Sequence, residues 1–117
     1  MDALTRDLLW LGWEDYTLLW QVVLNARHVN ELSSLREAQD VAHGVLQTLL
    51  AGNLIELFRC PWAMDNDAYR LVAPAEHAAV LGDDRSWTIE GADGRDLVWF
   101  ATTDAGLERY QQGTGWQ

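Results

Sequence analysis

Residues 33–59, SSLREAQDVAHGVLQTLLAGNLIELFR, predict a helix that leads directly into a strand. Ser34 is a favourable N-cap residue, and Glu37 follows at the three-residue spacing of a capping box. Apolar residues then recur at helical intervals, at Leu35, Ala38, Val41, Ala42, Val45, Leu46, Leu49 and Leu50. Gly52 predicts the left-handed residue that ends this helix, and Leu54–Phe58 follows as a strand.

Composition points to a single folded domain with an acidic surface. The chain has 117 residues, of which 49% are apolar, and this is too many for a disordered protein. The net charge is −10, and all eight cationic side chains other than histidine are arginines. Such a balance disfavours a phosphate-binding surface and would favour a basic partner. A solvated acidic surface with no particular partner gives the same charge.

The sequence also bears on the compartment. Cys60 is the only cysteine, so no intrachain disulfide can form. The N-terminus shows no basic region followed by an apolar stretch, which predicts no signal peptide. No run of about 18 apolar residues occurs, so we expect no membrane span. A cytoplasmic protein is the resulting expectation.

Outside the opening stretch, periodicity and turn residues predict a mixed series of elements. We expect Gly12 to break or bend the chain after a first helix, and Glu14 or Asp15 to begin a second helix. The predicted elements are helix 2–11, helix 14–28, strand 69–72, helix 74–81, strand 87–90, strand 97–101 and a helix capped by Thr103 or Asp104 that runs to about 112. The tail 113–117 is expected to be flexible.

Two short motifs carry a resemblance to the winged-helix superfamily. The segment LLAGNLIEL, Leu49–Leu57, is similar to the family's passage from a helix into the first wing strand, and Thr103-Asp104-Ala105-Gly106 is similar to the opening of its closing helix. The resemblance covers about residues 14–112. It implies one α+β domain over 1–117, winged-helix-like, with an extra N-terminal helix, an elaborated wing and a C-terminal helix. More narrowly, the chain resembles small acidic bacterial proteins of unassigned function.

The resemblance implies one alternative function, which is transcription regulation by a dimer that binds DNA. The outward face of helix 35–51 offers Gln39, His43 and Gln47 to a major groove, but Asp40 and Glu37 would be repelled by phosphates. Residues 35–51 also read as one continuous helix, and 60–96 is too long for a simple wing. We therefore expect DNA not to be the partner.

No catalytic, cofactor or metal site is predicted. His28, His43 and His77 lie in different predicted elements, so no zinc-ligand spacing occurs. The run Asp65-Asn66-Asp67 begins like a calcium loop, but Arg70 stands where glycine is required. We accordingly expect no enzyme.

Aromatic residues are the strongest candidates for function. Trp13, Tyr16 and Trp20 would share one face of a helix, either in the core or at an interface. A homodimer could form through residues 2–20, with a seam made by Leu4, Leu8, Trp10 and Leu11. Residues predicted to contact a partner protein are Trp62, Asp65, Asp67, Arg36, Gln39, Asp40 and His43.

The leading hypothesis is a non-catalytic protein-binding module. Its specific form is an acidic bacterial adaptor or immunity-type protein that covers a basic partner, for example a nuclease toxin. A small-molecule protein with an aromatic pocket is a third hypothesis, besides the DNA-binding regulator.

Overall fold

The computed structural model describes residues 1–61, 69–90 and 95–113. Its elements are α1 (Ala3–Glu14), β1 (Thr17–Leu18), α2 (Leu19–Val29), α3 (Leu35–Ala51), β2 (Ile55–Cys60), β3 (Arg70–Leu71), α4 (His77–Gly82), β4 (Leu97–Thr102) and α5 (Asp104–Gly113). Short 3₁₀ turns at Pro74–Glu76 and Asp84–Trp87 flank α4. The predicted α+β class is confirmed.

The strands form one antiparallel sheet in the order β1-β4-β2-β3. Because successive side chains of a strand point to opposite faces, β2 and β4 each contribute to two different surfaces. The inner face carries Ile55, Leu57, Val98, Phe100 and Thr102, and the outer face carries Glu56, Phe58, Cys60, Leu97, Trp99 and Ala101.

Helices of the described chain pack on the inner face. Leu8 of α1, Val22 of α2 and Leu46 of α3 are fully buried with Phe100 in one core. Thr102 ties α1 to the sheet, since its hydroxyl donates a hydrogen bond of 2.8 Å to the Leu9 carbonyl. A two-layer α+β arrangement results, with the helices on one side of the sheet.

The position of the turn between α3 and β2 was predicted correctly, but the residue in the left-handed conformation was not. Ser34 caps α3 as expected, since its hydroxyl accepts hydrogen bonds from the amides of Arg36 and Glu37. The left-handed residue, however, is Asn53 with φ 57°, and Gly52 keeps φ −88°. The Asn53 and Leu54 amides bond the Leu50 and Leu49 carbonyls, which is the Schellman arrangement, and asparagine tolerates its left-handed position.

At the N-terminal end, the prediction that the first helix stops at residue 11 and breaks at Gly12 is wrong. The helix α1 continues to Glu14, and Gly12 is buried against the sheet. A Cβ at this position would lie 2.5 Å from the Phe100 ring, so glycine is needed for close packing. The predicted helix start at residue 14 or 15 is also wrong, because β1 intervenes and α2 begins at Leu19.

Two further predictions concern the second half of the chain. The expected strand 87–90 is wrong, since Asp84–Trp87 forms a 3₁₀ turn whose Trp87 ring is buried in the core. The closing helix is confirmed, and Thr103 caps it by accepting a hydrogen bond of 3.0 Å from the Gly106 amide. Gly106 itself lies against the Leu54 carbonyl, where a side chain would clash. Residues 114–117 of the predicted flexible tail lie outside the described residues.

Candidate functional site

The predicted partner-contact residues divide into two groups. Trp62, Asp65 and Asp67 lie outside the described residues. Arg36, Gln39, Asp40 and His43 lie on α3, and the structure describes all four.

The α3 group contacts the chain's own 3₁₀ turn. The Arg36 guanidinium lies 3.3 Å from the Asp84 carboxylate and 3.4 Å from that of Asp40. The Gln39 amide donates a hydrogen bond of 2.9 Å to the same Asp84 oxygen. The His43 ring stacks on Trp87, with 6.0 Å between ring centroids.

These contacts change the interpretation of the α3 face. Arg36, Gln39 and His43 were predicted to face outward to a partner, yet each has an intramolecular neighbour in Asp84–Trp87. Their contacts hold the segment between β3 and β4 against α3. Asp84 also adds a carboxylate to the face that a DNA-reading helix would present to phosphates.

The predicted helical face of Trp13, Tyr16 and Trp20 is wrong. Trp13 lies in the last turn of α1 and is 41% exposed, Tyr16 precedes β1, and Trp20 lies in α2 and packs against the core. The short strand β1, which pairs with β4, lies between Tyr16 and Trp20, so the three residues do not share one helix.

Two of the four residues predicted to form a homodimer seam within residues 2–20 are buried inside the protein. Leu4 and Leu8 are buried in the protein's own core and cannot contact a second copy. Trp10 is 42% exposed, and its ring stacks on that of Tyr110 at 5.4 Å between centroids.

A more coherent cluster of rings lies on the outer face of the sheet. Tyr16, Phe58 and Tyr69 form an aromatic patch in which each ring contacts the other two, with centroids 5.2 to 5.6 Å apart. Phe58 is buried, Tyr16 is half-buried and Tyr69 is 37% exposed. The patch therefore has a packed base and an accessible rim.

The sheet explains how these three residues meet. Tyr16 directly precedes β1, Phe58 lies in β2, and Tyr69 directly precedes β3. In the sheet order, β4 separates β1 from β2, and its outward residue opposite Glu56 is Ala101. We attribute the contact between the Tyr16 and Phe58 rings across β4 to the small size of this alanine.

Carboxylates border the aromatic patch. Glu56 is exposed on the outer face two residues before Phe58, and Asp15 is exposed beside Tyr16. The pKa of the Tyr16 phenol is raised, and burial is the largest cause. A hydrogen bond with Tyr69 and the negative charges of Glu56 and Asp15 raise this pKa further. The patch thus combines ring faces with negative potential.

Sequence reasoning missed this patch because its residues come from three distant segments. A usable signal was present in β2, where Ile55 and Leu57 alternate with Glu56 and Phe58. This alternation predicts two faces, one of which carries a carboxylate beside a phenylalanine.

Metal binding, the single cysteine and membrane spanning are the remaining features to consider. Within 1–61, 69–90 and 95–113, no three His, Cys, Asp or Glu side chains lie close enough to hold a metal ion. Cys60 is fully buried on the outer face, and its carbonyl oxygen accepts a hydrogen bond of 3.1 Å from Trp99 Nε1. In the same described ranges, no helix is both long and apolar enough to cross a bilayer.

The chain matches no protein-family model, no curated protein and no solved structure. Any functional argument therefore depends on the geometry and charge of its own residues.

Proposed function

We propose that this protein is a non-catalytic protein-binding module, an acidic adaptor or immunity-type protein that covers a basic segment of its partner. The observation that carries the proposal is the aromatic patch of Tyr16, Phe58 and Tyr69, bordered by Glu56 and Asp15. The net charge of −10 would attract such a partner over a longer range.

The chemistry of the patch fits an arginine or lysine side chain. A cation placed over a ring face gains about 0.5–2 kcal/mol, depending on how far it is desolvated. Glu56 and Asp15 could accept charge-assisted hydrogen bonds from the same cation. Aromatic residues with a packed base and an exposed rim are also typical of binding hot spots.

The element order supports a winged-helix-like interpretation. A helix, a short strand, two helices and a strand are followed by β4 and a closing helix, with β4 between β1 and β2. In this interpretation α1 is the first helix of the domain and not an addition to it, and the described segments 69–90 and 95–96 belong to the elaborated wing.

DNA binding through α3 is the alternative that follows from this fold. The contacts of Asp84 with Arg36 and Gln39 argue against it, because they place a carboxylate on the face that would meet the duplex. A salt-dependent mobility shift of duplex DNA at micromolar protein would favour the alternative. Tryptophan quenching by a small ligand would instead favour an aromatic pocket.

The proposal is tested by affinity purification of the tagged full chain from its source cell after nuclease treatment. Glu56→Gln and Tyr69→Ala each remove one component of the patch, and Glu108→Gln makes the same charge change on exposed α5. We expect a stoichiometric basic protein with wild type and Glu108→Gln, and about ten-fold weaker retention with either patch variant.

Two results would contradict the proposal. Equal retention of the partner by the patch variants and Glu108→Gln would remove the patch from the interface. Co-purification of no other protein, together with a DNA mobility shift, would favour the regulator.

A further inference from the structure

Half of the arginines in this acidic chain line a single cleft. Arg59, Arg70, Arg85 and Arg95 surround a space of about 260 Å³, whereas the whole sequence has eight arginines and no lysine. Other lining residues are Asp83, Ser86, Asp96 and Val98. The described lining residues include four arginines and two aspartates, so together they carry a formal charge of +2 in a chain of net charge −10.

Strand pairing in the sheet places two of these arginines next to each other. Arg59 of β2 and Arg70 of β3 are directly opposite in the antiparallel register, and Arg59 is opposite Val98 of β4. Like charges in directly opposed positions destabilise a sheet. The pair therefore has an electrostatic cost, which nearby carboxylates offset in part.

Two of the arginines have carboxylate partners. Arg70 forms an ion pair with Asp96, and Arg85 donates hydrogen bonds to Asp83 through both Nε and a terminal nitrogen. Hydrogen bonds from the Arg85 side chain and amide hold the pKa of the Asp83 carboxyl below its usual range.

Arg95 has a different role, since it builds the wall of the cleft. Its guanidinium donates hydrogen bonds to the backbone carbonyls of Thr88 at 2.9 Å, Glu90 at 2.7 Å and Arg85 at 3.3 Å. Ser86 also helps to fix this wall, because its buried hydroxyl donates a hydrogen bond of 2.6 Å to the Val80 carbonyl.

Arg59 differs from Arg95, whose guanidinium is held by backbone carbonyls. Within 1–61, 69–90 and 95–113, no carboxylate forms an ion pair with the Arg59 guanidinium. Asp83 is near enough for the Arg59 charge to help lower its pKa, yet Asp83 is hydrogen-bonded to Arg85.

We propose that this cleft binds a phosphate monoester group, with Arg59 as its main ligand and Arg70 and Arg85 as supporting cations. A dianion would neutralise the lining charge of +2 and relieve the repulsion between Arg59 and Arg70. Guanidinium groups suit phosphate oxygens because they present several donors in a planar fork. The three cations come from β2, β3 and the turn after α4, so they belong to three different elements around the same cleft. The proposal is independent of the aromatic patch.

The test is an NMR titration of the ¹⁵N-labelled full chain with inorganic phosphate, observing the arginine side-chain Nε–H signals at constant ionic strength. We expect saturable shifts for Arg59, Arg70 and Arg85, with smaller shifts from acetate. Arg59→Gln should weaken binding about ten-fold or more, and Arg59→Lys should weaken it less. Arg6→Gln, an equal charge change on α1 outside the cleft lining, should leave it unchanged.

A stability measurement separates binding from a structural role of Arg59. Without phosphate, Arg59→Gln should unfold at the same temperature as wild type or a higher one, because it removes the repulsion with Arg70. A lower unfolding temperature would assign Arg59 to the fold and overturn the proposal. Non-saturating shifts, or equal affinity in wild type and Arg59→Gln, would also overturn it.

A second titration identifies the source of the phosphate group. Free O-phosphoserine and a short peptide containing phosphoserine carry the same monoester. Tighter binding of the peptide would assign the cleft to a phosphorylated partner, and equal binding would assign it to a small phosphorylated molecule. If neither displaces inorganic phosphate, the monoester assignment is wrong.

Discussion

The inner face of the sheet meets the helices through Leu57, Val98 and Phe100, whereas the outer face carries the aromatic patch beside Glu56. On the inner face the apolar side chains are buried with residues from α1, α2 and α3. On the outer face the rings of Tyr16 and Tyr69 each meet the buried Phe58 ring edge to face, and the patch is accessible at Tyr69.

This difference separates stability from recognition. Residues that contact several helices lose packing and leave a cavity when they are truncated. A rim residue such as Tyr69 loses only part of its contacts, because solvent already reaches it. We therefore expect substitutions of the buried apolar residues to change the free energy of unfolding, and substitutions at the exposed rim of the aromatic patch to change binding more than stability.

The largest expected effect comes from truncating one ring on each face. Phe100→Ala should lower the free energy of unfolding by about 3–5 kcal/mol, because Phe100 is fully buried between the sheet and α1. Tyr69→Ala should lower it by less than about 1.5 kcal/mol. Urea unfolding followed by tryptophan fluorescence measures both, and equal losses would show that the outer face is as structural as the inner one.

A smaller effect is expected from one added methyl group on the inner face. Gly12→Ala should destabilise the protein by about 1–3 kcal/mol through overpacking, reduced by about 1 kcal/mol of helix propensity. The reason is that the new Cβ would lie 2.5 Å from the Phe100 ring and 2.6 Å from the Thr102 hydroxyl.

Gly44→Ala is the matched control, because Gly44 is an exposed residue of α3 with open space around its Cβ position. We expect it to stabilise the protein by about 0.5–1 kcal/mol. If Gly12→Ala were equally stabilising in thermal unfolding, α1 would not be packed against the sheet as closely as described.

The sequence was sufficient for elements that short-range interactions determine. Ser34 caps α3 through amides two and three residues away, and Thr103 caps α5 through the amide of Gly106. The turn after α3 was located correctly for the same reason, although Asn53 takes the left-handed position.

Long-range interactions account for the failures. The two-residue strand β1 exists because Thr17 and Leu18 pair with β4, and nothing in their own neighbourhood predicts this pairing. Gly12 was predicted to break the helix because local sequence gives no sign of its close packing against Phe100, which is remote in the chain.

The same limit applies to the candidate sites. Periodicity placed Gln39 and His43 on one side of α3, but not opposite Asp84 and Trp87. The aromatic patch and the arginine cleft are each assembled from several elements. Their members therefore share no spacing that a linear motif could express.

The smallest predicted effect concerns the pH dependence of the aromatic patch. Burial, Tyr69 and nearby carboxylates raise the pKa of Tyr16 above the ordinary value of 10.0 in the folded protein. The contribution to stability is therefore fully present below pH 10 and is lost as pH rises through the higher folded pKa. Over this alkaline range, wild type should lose more stability than Tyr16→Phe, as measured by urea unfolding at each pH.

Glu56→Gln sharpens this test without removing the phenol. It eliminates one carboxylate that disfavours the phenolate, so the Tyr16 ring signal should titrate at lower pH than in wild type, while Glu108→Gln should leave it unchanged. An identical Tyr16 titration in all three proteins would mean that Glu56 does not act on the patch electrostatically. The acidic border of the proposed binding surface would then lose its support, although the ring contacts themselves would remain.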